Sequence, residues 1–520
     1  MRKDASLQFS RRRMLQRTAL LVGGVAGSAF LAACGSGAPA GPAGPAGQAP
    51  AKPAEPAKPA EAAKPAEAAK PAEAPKPAAD AKPTAAPVAA AKTEASKERV
   101  VIRDHDWIQG TPGQPNDWYD GFVKKFEEAN PTIKVEREWF PRAEMHAKQL
   151  ALAATGQIGD TVRINVAPVV SELNIKGLLY DLDSLFKDDK EWIEKDQKQF
   201  WKGNLATYTR DGKLWGLPVV GHPGAIHYFI NKTMAEKAGL KMPPNDGNWK
   251  FEDLHALAKG LTQSSGGRTT VYGVIPPINN VTANEGLVGF LRAYKGDLFD
   301  AAGKKCLLNT PESIAGLKAI AELYKSGAAM PWAPNIDDQR QELFLSQRVG
   351  IVIQTAFAAS SWPTLITKTS SPFEMEVIPN PIGPSGKHAT QVSSDGKGVS
   401  KSTKNPKEAW MVLSRLFTSQ RHGIERFVNG LGSPGSRNDV WDSDEFRQKA
   451  PKLQNVAKNV VLPPSPDMDP WHHPANGRYN EVEPVLLNEF VKVTLGQLDV
   501  EKYAADTAKQ IQDILDKPNV

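Results

Sequence analysis

The sequence predicts an α/β protein with more than one cored unit, and three observations carry that expectation. At 520 residues the chain is too long for one ordinary core, since domains run to about 100–200 residues each. Its body opens on alternating strand and helix patterns, the order expected of a mainly parallel sheet covered by helices. The stretch DGKLWGLPVVGHPGAIHYFINK, residues 211–232, reads as a chain leaving one β-sheet and entering another.

The N-terminal segment is set apart from that body. The formal charge is +6, but residues 1–33 hold six basic side chains and one acid, +5, which leaves +1 for the remainder. A nearly neutral body carries no basic patch of the kind nucleic acid requires. Residues 10–16, SRRRMLQ, match the twin-arginine export pattern S-R-R-x-F-L-K, with Met14 and Gln16 as departures. General secretory export stays open as the alternative. The apolar run 19–33 is shorter than the roughly 20 residues a spanning helix needs, and reads as a signal segment. It ends in Leu31-Ala32-Ala33-Cys34, similar to a bacterial lipobox, which makes Cys34 the expected site of lipidation. Cys306 is then a lone cysteine to which no chemistry is assigned.

Residues 34–98 are rich in Ala, Pro, Lys and Glu, with the K-P-A-E repeat at Lys58, Lys64 and Lys70. Without aromatic residues such a segment cannot bury enough apolar area to order itself. Biased to polyproline II, it is expected to act as an unfolded spacer holding a soluble body off a membrane.

In the body, residues 99–108 read as the first strand. Helical spacing of Trp118, Phe122 and Phe126 follows, stopped by Asn130-Pro131. Strands are expected over 133–140 and 161–165, with helices over 142–154 and 169–178. In the stretch 211–232, Asp211-Gly212 is a turn and Pro218, unable to donate a ladder hydrogen bond, suits a strand edge. A strand over 225–230 then stops at Asn231-Lys232. Further helices are expected over 251–261, 285–292, 311–326 and 500–515, and strands over 272–274 and 350–354.

Several of these segments resemble one family. The stretch 211–232 resembles "dGk-yglP…yNk" of the extracellular solute-binding proteins of ABC importers, family 1, the group that includes maltose-binding protein. Phe126, Asn130, Pro131, Ile133 and Val135 look like that family's helix-to-strand step, and residues 177–182, GLLYDL, match its "G-x-l-x-d-L". Residues 152–161 resemble "l-a-a-G-x-x-P-D-v", with Ile158-Gly159 where Ala-Pro is common. Asn248-Trp249 is similar to its "tWeel" segment. Residues 344–351 resemble "F-x-x-G-k-a-A-M" without the Gly and Met. Residues 377–381 resemble the "P-x-P" loop, 396–410 a second crossover and 431–437 a third. The resemblance covers about residues 99–515, and its weight lies in the order of the motifs.

The resemblance implies a type II periplasmic-binding-protein-like fold: two α/β lobes joined by crossover hinge strands, with lobe 1 over 99–219 plus 389–430 and lobe 2 over 220–388 plus 431–520. It implies a lipid-anchored, exported monomer on the outer face of the cytoplasmic membrane. Such a protein captures a small solute, a sugar or oligosaccharide, by hinge closure and delivers it to permease subunits, with no cofactor and no catalysis. An exported carbohydrate-active enzyme and a ligand-sensing receptor for a signalling partner are the alternatives.

A sugar ring needs a flat aromatic for its C–H face and fixed polar groups for its hydroxyl rim. Residues at strand ends or in crossover loops are therefore the candidate ligand contacts: Trp107, Gln109, Trp139, Phe140, Asn165, His222, Phe357, Trp362 and Asp395, with Trp332 and Trp471 in Pro-rich loops. Arg437 could grip a carboxylate or phosphate through a bidentate pair. Trp118, Trp192, Trp249 and Trp410 lie on helical patterns and are assigned to packing. Asp467, Asp469, His472 and His473 match no zinc spacing, so no metal site is expected. No nucleophile elbow, zincin motif or phosphate loop is present.

Overall fold

The computed structural model describes residues 99–107, 117–164, 172–221, 227–276, 283–333, 336–386, 388, 395–429, 433–458 and 472–520. The expected leader, Cys34 and spacer lie outside the described residues. So do Gln109, Asn165, His222 and Trp471, and the side chain of Trp107. Among the described residues no helix is long and apolar enough to cross a membrane.

The first sheet is built by β1 (Val100–Trp107), β2 (Ile133–Phe140) and β3 (Thr161–Ile164) in parallel, in the order β2-β1-β3. Helices α1 (Asp117–Ala129) and α2 (Arg142–Ala154) connect them. Alternation on β2 buries Ile133 and Val135 against α1, whose Phe122 and Phe126 are also buried. The turn at Asp211 and Gly212, with φ of 52° and 74°, has the two positive angles of a tight hairpin turn and joins two short strands. The sheet's edge strand is β4 (Leu217–Pro218), so Pro218 occupies the edge position its missing N–H demands.

The second sheet has the order β9-β5-β8-β7-β6. Its strands are β5 (His227–Asn231), β6 (Gln263–Ser265), β7 (Arg268–Ile275), β8 (Val349–Gln354) and β9 (Met375–Ile378). Strand β5 is described from His227 onward; the first two residues of the expected strand lie outside the described residues. It ends on Asn231 because that side chain caps the next helix, accepting from the Met234 N–H at 2.8 Å. Both faces of this sheet are covered, so β5 and β8 are buried throughout their apolar runs. Tyr228, Ile230, Val274 and Ile351 face a core shared with α3 (Phe251–Leu261), α4 (Ala283–Ala293), α5 (Pro311–Lys325) and two C-terminal helices, residues 479–494 and 500–515. Phe229, Ile275, Val352 and Val377 face a second core shared with α6 (Ile336–Leu345) and α7 (Ala358–Ile366).

The chain returns to the first sheet as β10 (Gly396–Val399), antiparallel to both β3 and β4. Two glycines of β10 are fixed by close approach: a Cβ at Gly396 would lie 2.5 Å from the Tyr208 ring, and one at Gly398 3.1 Å from a Leu179 methyl. Helix α8 (Pro406–Met411) and residues 412–417 close the first core, burying Trp410 against Trp192 and Phe186. Helix α9 (Gln420–Val428) serves both halves: His422 meets the Tyr119 hydroxyl at 3.2 Å, while Ile424 and Phe427 join the second-sheet core.

Candidate functional site between the two sheets

Strand direction fixes where a site can form. Because β10 is antiparallel to both β3 and β4, β4 runs parallel to β1 and ends on the same edge as β1–β3. From that edge the chain passes through Val219–Gly221 to the start of β5. Strand β5 is antiparallel to β8 and β9, so it begins at the edge where those strands end. The carboxyl ends of both sheets are therefore turned toward the same crossing, the position ligands favour in open α/β sheets.

Three chain segments meet at that crossing and are laced by hydrogen bonds. The Val219 and Val220 N–H groups donate to the Asp395 carbonyl at 2.8 and 3.2 Å, and the Gly221 N–H donates to the Pro434 carbonyl at 2.7 Å. The Ser436 hydroxyl donates to the Val220 carbonyl at 2.8 Å and accepts from Asn204 Nδ2 at 2.6 Å. Gly221 is required here: a Cβ would stand 2.7 Å from Ser436 Cα and from the Trp201 ring.

Below the carboxyl edge of the first sheet, one face turns from apolar to ionic. Asp104 and Asp106 of β1, Arg163 of β3 and Lys397 of β10 are fully buried. Lys397 Nζ lies 2.5 Å from Asp104 Oδ1 and 3.0 Å from Asp106 Oδ2. Arg137 of β2 reaches the same two carboxylates at 3.1 and 2.8 Å. Arg163 faces Asp106 at 3.6 Å and Asp395, at the crossing, at 3.3 Å. Burial alone would raise the Asp106 carboxyl, but Lys397, Arg163 and Arg137 outweigh it and hold it well below the carboxylate range. Burial lowers Lys397 despite both aspartates, and drives His422 well below the imidazole range. The cluster ties the second crossing strand rigidly to β1.

The candidate contacts divide accordingly. Trp139 ends β2 half-buried, with the Arg137 guanidinium 4.1 Å from its ring centre and 3.7 Å from that of Tyr119. Phe140, on the opposite face, packs edge-on against His105 at 5.0 Å and is also half-buried. Asp395 is at the crossing itself. On the second sheet, Phe357 is exposed three residues past the carboxyl end of β8. Trp332 is half-buried two residues beyond Met330, whose N–H donates to the Val274 carbonyl.

Two expectations are corrected by packing. Trp362 belongs to the core: it is fully buried, stacked on Phe344 at 5.2 Å, with its indole N–H donating to Gln341 Oε1 at 3.0 Å. Arg437 grips carboxylates, but they are the protein's own: it meets Asp439 at 2.9 and 2.7 Å and Asp196 at 2.9 Å. Trp192, Trp249 and Trp410 are buried as assigned. Asp467 and Asp469 lie outside the described residues, and His472 faces Asp297 at 3.4 Å.

The ionic cluster was missed in the sequence. Its signal is charge at alternate positions inside otherwise apolar strands: Asp104 and Asp106, Arg137, Arg163 and Lys397 all sit on one face.

Residues 121–455 match the family described as bacterial extracellular solute-binding protein. The chain belongs to that family. A putative binding protein of Brucella abortus is 23% identical over 429 residues, 82% of this chain and 95% of its own. The arabinooligosaccharide-binding protein of Bacillus subtilis is 22% identical over 349 residues, 65% of this chain and 74% of its own. Among solved structures, an ABC substrate-binding protein of Listeria monocytogenes in complex with cycloalternan aligns with TM-score 0.64 at 21% identity, covering 80% of this chain and 99% of that one. Maltose-bound T. maritima MalE3 aligns with TM-score 0.64 at 21% identity, covering 80% and 100%. This solute-binding protein therefore has the two-lobe fold of those structures, and the crossing segments described above join its lobes.

Proposed function

We propose that this protein is the solute receptor of an ABC importer, closing its two lobes on a neutral oligosaccharide and handing it to permease subunits. One observation carries the reading. Five of the segments next to the carboxyl edges in sequence, residues 108–116, 165–171, 222–226, 277–282 and 389–394, contain no Asp, Glu, Lys or Arg, whereas β2 is followed by Arg142 and residue 394 by Asp395. They offer Gln109, Thr111, Gln114, Asn116, Asn165, Asn279, Asn280, Thr390 and Gln391 instead. Uncharged amides and hydroxyls suit a hydroxyl rim, whereas an anionic solute would call for cations at those ends.

The relatives that bind arabinooligosaccharide, cycloalternan and maltose support the same class. Trp107, Trp139, Phe140, Phe357, Trp332 and Trp471 are the candidate stacking surfaces; Gln109, Asn165, His222 and Asp395 the candidate polar contacts. Closure follows when a ligand touching both lobes favours the closed state. The lobes are assigned as 99–219 plus 389–430 and 220–388 plus 431–520. The chain acts as a monomer that binds without turnover, exported and held on the outer face of the membrane through lipid on Cys34.

A thermal-shift screen against neutral and acidic oligosaccharides tests the reading. Neutral gluco- or arabino-oligosaccharides should raise Tm, uronic acids should not, and the sugar should be recovered intact. Stabilisation by acidic sugars alone, or hydrolysis of the sugar, refutes it. Trp107→Ala and Phe357→Ala should each weaken binding of the stabilising sugar; unchanged affinity in both refutes the site map.

A further inference from the structure

The sequence motif around His472 and His473 found no role in a metal site, yet its described part joins the two lobes through residues other than the crossing segments themselves. On the lobe 2 side it is firmly anchored. The Ala475 N–H donates to the Gly303 carbonyl at 2.9 Å, and Asn476 Nδ2 donates to the Ile514 carbonyl at 2.8 Å. His472 faces Asp297, and a Cβ at Gly303 would lie 2.0 Å from the His473 carbonyl.

On the other side it meets lobe 1. Arg210 Nη2 donates to the Ala475 carbonyl at 2.8 Å. Arg210 lies in the hairpin that Leu214 fixes to the first core, its backbone N–H bonded to Asp183. A Cβ at Gly477 would stand 2.9 Å from Ile175 Cδ1 and 3.8 Å from Glu172 Cα. Glu172 pairs with His146 of α2 at 2.7 Å, close behind the carboxyl edge of the first sheet.

We propose that residues 472–477 form an interlobe strap, with Arg210 as its positioning residue, that holds the lobes in the relation seen in this structure in addition to the crossing segments. A change of interlobe angle that carries Ala475 away from Arg210 breaks this contact, so the strap favours the relation of the lobes in which it is made. The inference needs the two-lobe fold but not the sugar reading, and its test uses no sugar.

His473 gives the strap a second handle. Burial, reinforced by the Arg210 guanidinium and by neighbouring His472, pushes its imidazole down to about 4, against the carbonyl groups of Pro474 and Thr207 that favour the proton. When the strap opens, the imidazole regains water and the ordinary value of 6.5. Protons therefore favour the open strap: the strapped state is fully favoured above 6.5 and loses ground as pH falls toward 4. At pH 5 the shift amounts to about 30-fold.

The test is a pulsed dipolar distance measurement on the unliganded full chain, with Cys34→Ser, Cys306→Ser and spin labels at Lys187→Cys and Lys237→Cys, one on each lobe. Arg210→Ala should broaden and shift the distance distribution and Arg210→Lys should restore much of the wild-type form. Going from pH 7.5 to 5 should move the wild-type distribution the same way, and His473→Asn should abolish that movement. An Arg210→Ala distribution superimposable on the wild type overturns the strap. A wild-type distribution unchanged by pH overturns the part assigned to His473.

Discussion

Replacing Lys397 by Met tests whether the ionic floor holds β10 to β1. Its side chain is fully buried, and its Nζ lies within 3.0 Å of both Asp104 and Asp106. Met keeps most of the volume, so the loss is one of charge and not of packing. Removing one partner from a buried ion pair costs about 3–5 kcal/mol, because the remaining charges stay desolvated. Here Arg137 still faces both carboxylates, which places the expected loss toward the lower end, about 3 kcal/mol at pH 7. Equilibrium urea unfolding, followed by tryptophan fluorescence, reads it directly. The pH dependence supplies a second check. Asp106 is held well below its ordinary value in the folded protein, so it contributes stability above the unfolded carboxylate value of 3.8 and loses it as pH falls toward the folded one. Without Lys397 that depression shrinks, so the gap between variant and wild type should narrow between pH 5 and pH 3. A loss below about 1 kcal/mol at pH 7, or a gap that widens in acid, refutes the assignment.

Three further outcomes are expected. Glu483 is raised to about 7 by burial, so the folded protein binds its proton more tightly than the unfolded chain, and stability falls as pH climbs from 4.5 through 7. Glu483→Gln should therefore stabilise the protein by about 2–3 kcal/mol at pH 8 and by almost nothing at pH 4, measured as Tm at both. Gly221→Ala drives a methyl into Ser436 backbone and the Trp201 ring at 2.7 Å and should cost about 1–3 kcal/mol in denaturant unfolding. Trp362→Ala should cost about 3–5 kcal/mol in the same assay, through the cavity left beside Phe344 and Phe229, and leave solute affinity unchanged in the fraction that folds.

Local signals in the sequence were enough for the framework. Helices 142–154, 251–261 and 500–515 match their expected limits, because apolar spacing and terminating residues act within one or two turns. Pro218 announced a strand edge because its chemistry excludes a central position. Asn231 ended β5 for an equally local reason, its side chain capping the helix that follows. Arg437 was legible in part: an acid two residues on, Asp439, was a ready partner.

The floor of the site was not legible, and the reason is geometric. Asp104 and Lys397 are 293 residues apart, and neither position is informative until β10 is seen to run beside β3. A charge inside an apolar strand reads equally as an exposed position or as half of a buried pair; only the partner decides, and burial without one would be prohibitive. The same limit applies to the aromatics. Trp139 and Trp362 both follow strands, yet Trp139 ends β2 at the carboxyl edge, while Trp362 sits one turn into α7 with its indole nitrogen satisfied inside the core. Solute binding depends on this distinction. A ring can serve a ligand only where the scaffold leaves a face uncovered, and for Trp139 one face is already taken by Arg137, whose charge is in turn fixed by the two aspartates that hold the crossing strand. The proposed stacking face of Trp139 and the seat of the crossing strand thus share one ionic cluster, so substitutions in the cluster should perturb both, and substitutions of the ring alone should perturb only the first.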